Sequence, residues 1–240
     1  MQNKITLVLI RHPRTEGNEV SNSEMAKLER PNHLFQPTKD GLEQMENAIT
    51  VYYNLMAKLP LFPLFIMCST AVRTKVVANK FAATFGILGL QVIEDSRLNE
   101  KWDGILHSLS KEEIEAKYPE QIDLRKKYGW YHYKPFGGEN GPDVEVRIKS
   151  LLQDITSVPM HIGKTIVLCS HGNWQLLFEK IALGQSAKEV EEARENNPIP
   201  NCAISIYDFF PHARLDSFLR TTEINRYAPW LNATEPTYYA

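Results

Sequence analysis

Long apolar runs are missing from this 240-residue chain. No stretch approaches the length a membrane-spanning helix needs, so a membrane protein is not expected. Charge of one sign is not in excess either: 27 Lys and Arg stand against 29 Asp and Glu, a formal net charge of −2. A nucleic-acid binder usually carries a basic stripe and a high pI, so a nucleic-acid partner is not expected. A small anionic ligand stays open, because a pocket needs only a few local cations. Cysteine is scarce. Cys68, Cys169 and Cys202 each lie in or beside an apolar, strand-like run. Three thiols without a secretory signature read as reduced core residues of a cytosolic protein. A Cys68–Cys169 redox pair is the weaker alternative, since their neighbours offer no motif for one. The opening "MQNKITLVLI" runs into a charged turn rather than a cleavage site, which again points to the cytoplasm. Metal-ligand spacing, internal repeats and low-complexity linkers are not evident, so no metal and no cofactor are expected.

What the chain does have is a normal supply of core. It is 43% hydrophobic and 23% charged, ordinary for one large folded domain, or one domain with an insertion. Residues 4–10 ("KITLVLI") are short and β-branched, a buried strand. Leu42, Met45, Ile49, Tyr52 and Met56 follow at helical spacing. A second strand is expected at 64–69. The helix "TAVRTKVVANKFAATFG" comes next, closed by Gly86. Strands at 90–95 and 163–173, a helix "WQLLFEKIALG", and a final strand pair ("CAISIYDF" and "ARLDSFLRTTEI") complete the pattern. Strand and helix alternation with hydrophobic strands predicts an α/β fold: a mostly parallel central sheet with helices on both faces. Residues 97–141 break the pattern with charged and aromatic residues. They are expected to form an inserted helical cap within a single domain spanning 1–240. Inside it Ser110 and Glu113 have capping-box spacing, and "PDVEVRIKSLLQDI" returns as a helix.

Ligands of such sheets bind beyond the carboxyl ends of the strands. Four polar groups fall there. Arg11 and His12 follow the first strand, with Thr15 and Asn18 within reach of the same anion. Arg73 follows Ser69 in the first turn of a helix, whose N-terminus already favours an anion. Ser170 and His171 end the fourth strand, and Gly172 permits close backbone approach. Glu100 follows the third strand. Alone, each has a plain structural explanation. Together, two arginines and two histidines supply what a phosphate asks for: guanidinium forks and further donors. An imidazole, with an unperturbed pKa of ~6.5, can take a phosphoryl group and later give it to water. A carboxyl group nearby can protonate the leaving oxygen and then deprotonate the water. Positioning and charge stabilisation are most of what phosphoryl transfer needs.

These residues resemble the histidine phosphatase superfamily, also called phosphoglycerate mutase-like. The family's Arg-His-Gly-x-Thr-x-x-Asn is matched by "RHPRTEGN" at Arg11, His12, Thr15 and Asn18. Its Ser-x-x-x-Arg-x-x-x-Thr is similar to "STAVRTKVVA", with Arg73 kept and Val77 in place of the threonine. Its Leu-x-Glu is "LNE" at Glu100, and its Ser-His-Gly is Ser170-His171-Gly172. "GGENGPDVEVR" is similar to its Gly-Glu-Ser segment with the Asp and Arg that follow. The resemblance spans residues 5 to about 210. It implies a phosphoglycerate mutase-like fold with no metal. It implies His12 as the phosphorylated nucleophile and Glu100 as proton donor. Arg11, Arg73 and His171 would hold the phosphate oxygens, with Asn18 adding a donor.

Two departures stand out. Pro13 replaces a glycine, which removes one N–H and fixes φ, so altered loop geometry is expected. Asn140 replaces the serine of the Gly-Glu-Ser segment, which removes a hydroxyl there. Three functions remain. The leading one is a phosphatase acting on a small-molecule phosphomonoester. The second is a phosphoglycerate-type mutase with the same chemistry; mutases of the family carry paired arginines and a proline run in a longer cap, which "DLRKKYGWYHYKPFGGEN" lacks. The third is a non-catalytic phosphate-binding scaffold. Within the cap, Arg125, Lys126, Lys127, His132 and Lys134 either meet a second acidic group of the substrate or are solvated. Trp130, Tyr131 and Tyr133 would then pack the cap's own small core. The tail "RYAPWLNATEPTYYA" is either a lid or a docked strap, and whether the chain is a homo-oligomer is open.

Overall fold

Every residue of strand β1 (Ile5–Arg11) is buried, and its side chains alternate between two cores. The computed structural model describes residues 4–20, 31–85, 92–107 and 109–210. Ile5, Leu7 and Leu9 enter one core, and Val8 and Ile10 the other. A strand covered on both faces has no polar side to show, which is why it reads as an unbroken apolar run. Four more strands join it: β2 (Pro63–Cys68), β3 (Val92–Glu94), β4 (Thr165–Ser170) and β5 (Ile204–Phe209). The order is β3-β2-β4-β1-β5. The first four run parallel, and β5 pairs antiparallel with β1.

Eight α-helices are described: α1 (Glu16–Glu19), α2 (Lys39–Met56), α3 (Val72–Thr84), α4 (Lys111–Lys117), α5 (Pro119–His132), α6 (Gly141–Thr156), α7 (Gly172–Leu183) and α8 (Ala187–Asn196). On one face of the sheet α2 and α3 bring Met45, Ile49, Tyr52, Val77 and Phe81 against Val8 and Ile10. On the other, α6 and α7 bring Ile148, Leu151, Trp174, Leu177 and Phe178 against Leu7 and Leu9. Each such Leu, Ile or Phe contributes about 1.5–3 kcal/mol by leaving water. The expected α/β architecture, a mostly parallel sheet with helices on both faces, is the one observed. Among the described residues no helix is long and apolar enough to cross a membrane. All three cysteines are free and buried.

Some boundaries differ from the sequence reading. Leu42 was placed on the apolar stripe of α2 by spacing but is exposed; Met45, Ala48, Ile49 and Tyr52 form the buried stripe. Strand β3 is described over Val92–Glu94, at the sheet edge against β2; residues 90 and 91 of the expected strand lie outside the described residues, and Asp95 is not in a strand. Strand β4 stops at Ser170 rather than 173, because His171 takes an extended N-cap conformation and α7 starts at Gly172. Gly86, the strand expected from "ARLDSFLRTTEI" and the C-terminal tail lie outside the described residues.

The 97–141 stretch folds as two 3₁₀ turns followed by α4 and α5. Ser110 and Glu113 form the expected capping box: Glu113 N donates to Ser110 Oγ at 3.1 Å and Ser110 N to Glu113 Oε2 at 2.9 Å. Helix α5 begins on Pro119 and kinks at Gly129, whose φ of 73° favours glycine. Beyond the kink Trp130 and Tyr131 turn inward and join the core on the α6–α7 face.

Candidate active site

The pairing register collects the site. Arg11 of β1 lies opposite Ser170 of β4, and Cys68 of β2 opposite Cys169. The chain therefore leaves three neighbouring parallel strands at one end, delivering Arg11-His12, Ser69 and Ser170-His171 side by side. His12 N donates to Ser170 O at 3.1 Å, tying the first of these exits to the third. A cleft of about 610 Å³ opens there. Arg11, His12, Thr15, Asn18, Arg73, Glu100 and His171, all expected from sequence, line it.

The two imidazoles are held in opposite senses. His12 Nδ1 lies 2.8 Å from Pro13 O. A carbonyl only accepts, so Nδ1 carries the proton and Nε2 carries the lone pair. Burial, with Arg73 and Arg11 adding repulsion, pushes the His12 pKa well below the usual value, so the ring is neutral at pH 7. Pro13 thus supplies the contact that fixes this tautomer, and losing its N–H leaves that contact intact. His171 Nδ1 lies 3.2 Å from Arg73 Nη2. A guanidinium only donates, so here Nδ1 accepts and Nε2–H donates to Ser69 Oγ at 2.7 Å. Ser69 Oγ contacts Thr74 Oγ1 at 2.7 Å, and that hydroxyl donates to Ala71 O at 2.8 Å. The His171 pKa is lowered by burial first and then by Arg73.

Positive charge is concentrated in the site. Arg11 and Arg73 are both almost fully buried. Arg73 sits in the first turn of α3 and donates from Nη1 to Asn32 O at 2.8 Å. Its pKa is lowered to about 10 by burial, against the opposite pull of Glu100, so it stays charged. Arg11 donates from Nη1 to Ile199 O. Two buried guanidiniums beside two neutral rings ask for an anion.

Glu100 follows the 3₁₀ turn Ser96–Leu98 and rests on the start of α7. Its Oε1 accepts from Lys101 N (2.8 Å) and Trp174 N (3.1 Å), and its Oε2 from Asn173 N (3.1 Å). Burial raises its pKa, while those amides and Arg11 and Arg73 pull the other way. A carboxyl group held up in this way can carry a proton at higher pH than a solvated one.

Thr15 and Asn18 open α1. Thr15 N and Oγ1 both donate to Asn18 Oδ1 at 3.0 Å, so the amide nitrogen is what Asn18 can offer an anion. Gly172 departs from expectation. It is the first residue of α7 and is not part of the cleft wall; the next two backbone amides face Glu100 instead. Asn140 takes a capping role, accepting from Asp143 N at 2.9 Å at the head of α6.

The same cleft is also lined by residues that sequence reasoning did not single out: Asn32, His33, Lys101, Trp102, His107 and Asn173. The Lys101 side chain is 3% exposed, 3.3 Å from Asp103. The Trp102 and His107 rings lie 4.5 Å apart at 30°, with Trp102 half exposed. Adjacency to Glu100 was the available signal for Lys101 and Trp102. His33 sits in an irregular loop with no signal of that kind. Among the described residues, none of Arg125, Lys126, Lys127, His132 and Lys134 lines the cleft. Arg125, Lys126 and Lys127 are exposed along α5, Lys134 pairs with Asp143 at 2.8 Å, and His132 meets the Tyr131 ring edge-on. The aromatic residues between them, Trp130, Tyr131 and Tyr133, are buried.

Comparisons with known proteins bear on the family and the fold. A family model for the histidine phosphatase superfamily (branch 1) matches residues 7–215. A 2,3-bisphosphoglycerate-dependent phosphoglycerate mutase of Chelativorans sp. is 27% identical over 200 residues, covering 81% of this chain and 89% of its own. The phosphoglycerate mutase-like protein AT74 of Arabidopsis thaliana is 25% identical over 186 residues, 72% of this chain and 55% of its own. Among solved structures, a mycobacterial glucosyl-3-phosphoglycerate phosphatase complexed with VO3 superposes with a TM-score of 0.69 at 22% identity, covering 90% of this chain and 96% of its own. An α-ribazole-5'-P phosphatase from Escherichia coli gives 0.66 at 19% identity, covering 91% and 95%. At those identities the structures speak to the fold.

Proposed function

Because the chain belongs to the histidine phosphatase superfamily (branch 1), we propose that it is a phosphomonoester phosphatase that works through a phosphohistidine on His12. The observation that carries the reading is the His12 ring itself: neutral, Nδ1 bonded to Pro13 O so that Nε2 keeps the lone pair, in the wall of a cleft shared with two buried guanidiniums. Nε2 attacks phosphorus and the bond to the leaving oxygen breaks. Glu100, protonated, gives its proton to that oxygen, so an alcohol leaves. Arg11 and Arg73 neutralise the phosphoryl oxygens, and neutral His171 is held beside them by Arg73. Glu100, now a carboxylate, takes a proton from water. The water oxygen attacks phosphorus, the N–P bond breaks, inorganic phosphate leaves, and both residues return to their starting states. Every charge this scheme must stabilise is met by a side chain of the chain, and no metal or cofactor enters it.

In this reading the leaving group is received beside Lys101 and the Trp102–His107 ring pair, which line the same cleft. The mutase reading keeps support from curated relatives at 25–28% identity that are named phosphoglycerate mutases. Against it, the exposed cations of α5 lie away from the cleft, so the second phosphate of a bisphosphate has few partners.

The test is a labelled phosphomonoester with a denaturing alkaline quench, since phosphohistidine does not survive acid. The wild type should show label on His12. His12→Ala should lose both label and hydrolysis of an aryl phosphate while keeping its fold, because the His12 carbonyl bonds to Asn201 and Cys202 use backbone. Retained turnover would remove His12 as nucleophile. Absence of label from a broad panel of phosphomonoesters would favour the scaffold reading. Phosphoryl transfer between phosphoglycerates outrunning hydrolysis would favour the mutase.

A further inference from the structure

Residues 99–103, which carry the proposed acid, form no regular structure, so their backbone must be held from outside. One side chain does much of this. Arg147, on α6, donates from Nη1 to Arg97 O at 2.7 Å and from Nη2 to Glu100 O at 3.2 Å. The same guanidinium meets Glu139 fork to fork, Nε to Oε1 at 2.9 Å and Nη2 to Oε2 at 3.1 Å. Glu139 in turn grips Trp102: its Oε2 accepts from Trp102 N at 3.0 Å, and its backbone N donates to Trp102 O at 2.8 Å. The loop is therefore held at Arg97, Glu100 and Trp102 by one ion pair. Trp174 closes the frame. Its ring Nε1 donates to Arg97 O at 2.7 Å, while its backbone N is one of the amides under the Glu100 carboxyl group.

We infer that Arg147, locked by Glu139, is the positioning residue that sets the reach of Glu100 toward the leaving oxygen. The inference rests on the phosphatase reading and on Glu100 as its acid. Arg147 does not line the cleft, and its side chain is 16% exposed. It acts through the backbone of Glu100. The carboxyl group itself is fixed by α7, its backbone by α6, and the acid is placed only when both hold. A misplacement on the order of 1 Å costs roughly a hundredfold in rate, so a restraint on the backbone carbonyl of the acid itself has kinetic weight. Lysine does not substitute for this geometry. Its ammonium is a single point, whereas four separate donations from a planar fork are used here.

The experiment is a leaving-group series, from p-nitrophenyl phosphate through less activated aryl phosphates to an alkyl phosphate. It is run on wild type, Glu100→Gln, Arg147→Gln, Arg147→Lys and Glu139→Gln. Inhibition by inorganic phosphate and thermal midpoints are measured beside it. Arg147→Gln should lose on the order of tenfold or more in kcat on the alkyl ester and markedly less on p-nitrophenyl phosphate. Its phosphate inhibition constant should stay within about twofold, because Arg11, Arg73 and His171 are untouched. Arg147→Lys should recover part of the loss, and Arg147→Gln combined with Glu100→Gln should lose little more than Glu100→Gln alone. Equal losses across the series, or phosphate affinity falling in step with kcat, would overturn the inference and leave Arg147 a fold residue. If Arg147→Gln does not fold, Glu139→Gln carries the same expectation and the same reversal. A flat series for Glu100→Gln would instead sink the acid assignment. A steep series for Glu100→Gln with a flat one for Arg147→Gln and Glu139→Gln would sink this inference alone.

Discussion

His12 and His171 stand with ring centroids 5.2 Å apart at 61°, and they carry opposite tautomers. His12 is protonated on Nδ1 against Pro13 O, and His171 on Nε2 against Ser69 Oγ. Each ring's unprotonated nitrogen is thereby assigned: His12 Nε2 is open to act, and His171 Nδ1 is capped by Arg73. Two histidines side by side would repel as imidazoliums. Burial and the two guanidiniums keep both neutral, so the pair can face an anion without opposing each other.

The tautomer of His171 depends on a hydroxyl, so Ser69→Ala should damage a cleft whose wall it does not join. Nε2–H loses its buried acceptor, and Ala71 N, 3.2 Å from the same oxygen, loses one too. Leaving such groups unmet costs about 1–3 kcal/mol. The denaturation midpoint should fall accordingly. The kcat should drop roughly tenfold, as a barrier increase near 1.4 kcal/mol implies. Unchanged kcat in a folded Ser69→Ala protein would show that the relay does not orient His171.

Stability should depend on pH with a sign set by these rings. Both histidines have folded pKa values below the unfolded 6.5. Below 6.5 the unfolded chain binds protons that the folded one refuses, so their contribution is full above 6.5 and is lost as pH falls. Glu100 has the opposite sign: its folded pKa is raised above 4.5, so its contribution is full below 4.5 and lost as pH rises through the folded value. Urea midpoints for the wild type should therefore fall between pH 7 and pH 5.5. His171→Gln should flatten that fall, and Glu100→Gln should raise the midpoint at pH 7. Parallel curves for wild type and His171→Gln would contradict the neutral, buried assignment.

How much of this was readable without coordinates follows from the range of the forces involved. Strand β1, with both faces covered, announced itself as an apolar run, and the strand ends named seven of the residues that line the cleft. The capping box at Ser110 is a local hydrogen-bond pattern, so spacing alone revealed it. The misses are non-local. Leu42 fits the helical stripe of α2 yet nothing packs over it, and periodicity cannot know what a neighbouring element covers. Gly172 sits in a motif but is not among the residues lining the cleft, and the amides of Asn173 and Trp174 after it are taken up by Glu100, 73 and 74 residues earlier. The cations of α5 have two readings from sequence, substrate contacts or solvated charges, and Arg125, Lys126 and Lys127 are exposed and outside the cleft wall. Gly129 breaks that helix, and beyond the break Trp130 and Tyr131 go inward, while Arg125 to Tyr128 before it stay exposed.

Lys101 gives the sharpest test of what the cleft accepts. Its side chain is 3% exposed, 3.3 Å from a partly exposed Asp103 and 5.9 Å from the centre of the Trp130 ring. This ammonium is paired with Asp103 and also feels Asp143, yet it lines the cleft, where an anionic group of the substrate can meet it. Lys101→Met keeps the aliphatic stem against Trp130 and removes only the charge. For a phosphomonoester whose leaving group bears a carboxylate or a second phosphate, KM should rise about tenfold, the loss of one partly buried ion pair. For p-nitrophenyl phosphate, which lacks such a group, KM should change less than about twofold. The split matters because a structural lysine would move both substrates together through a distorted site. Equal KM shifts on the two substrates, or none on either, would show that the charge of Lys101 serves Asp103 and Trp130 rather than the substrate.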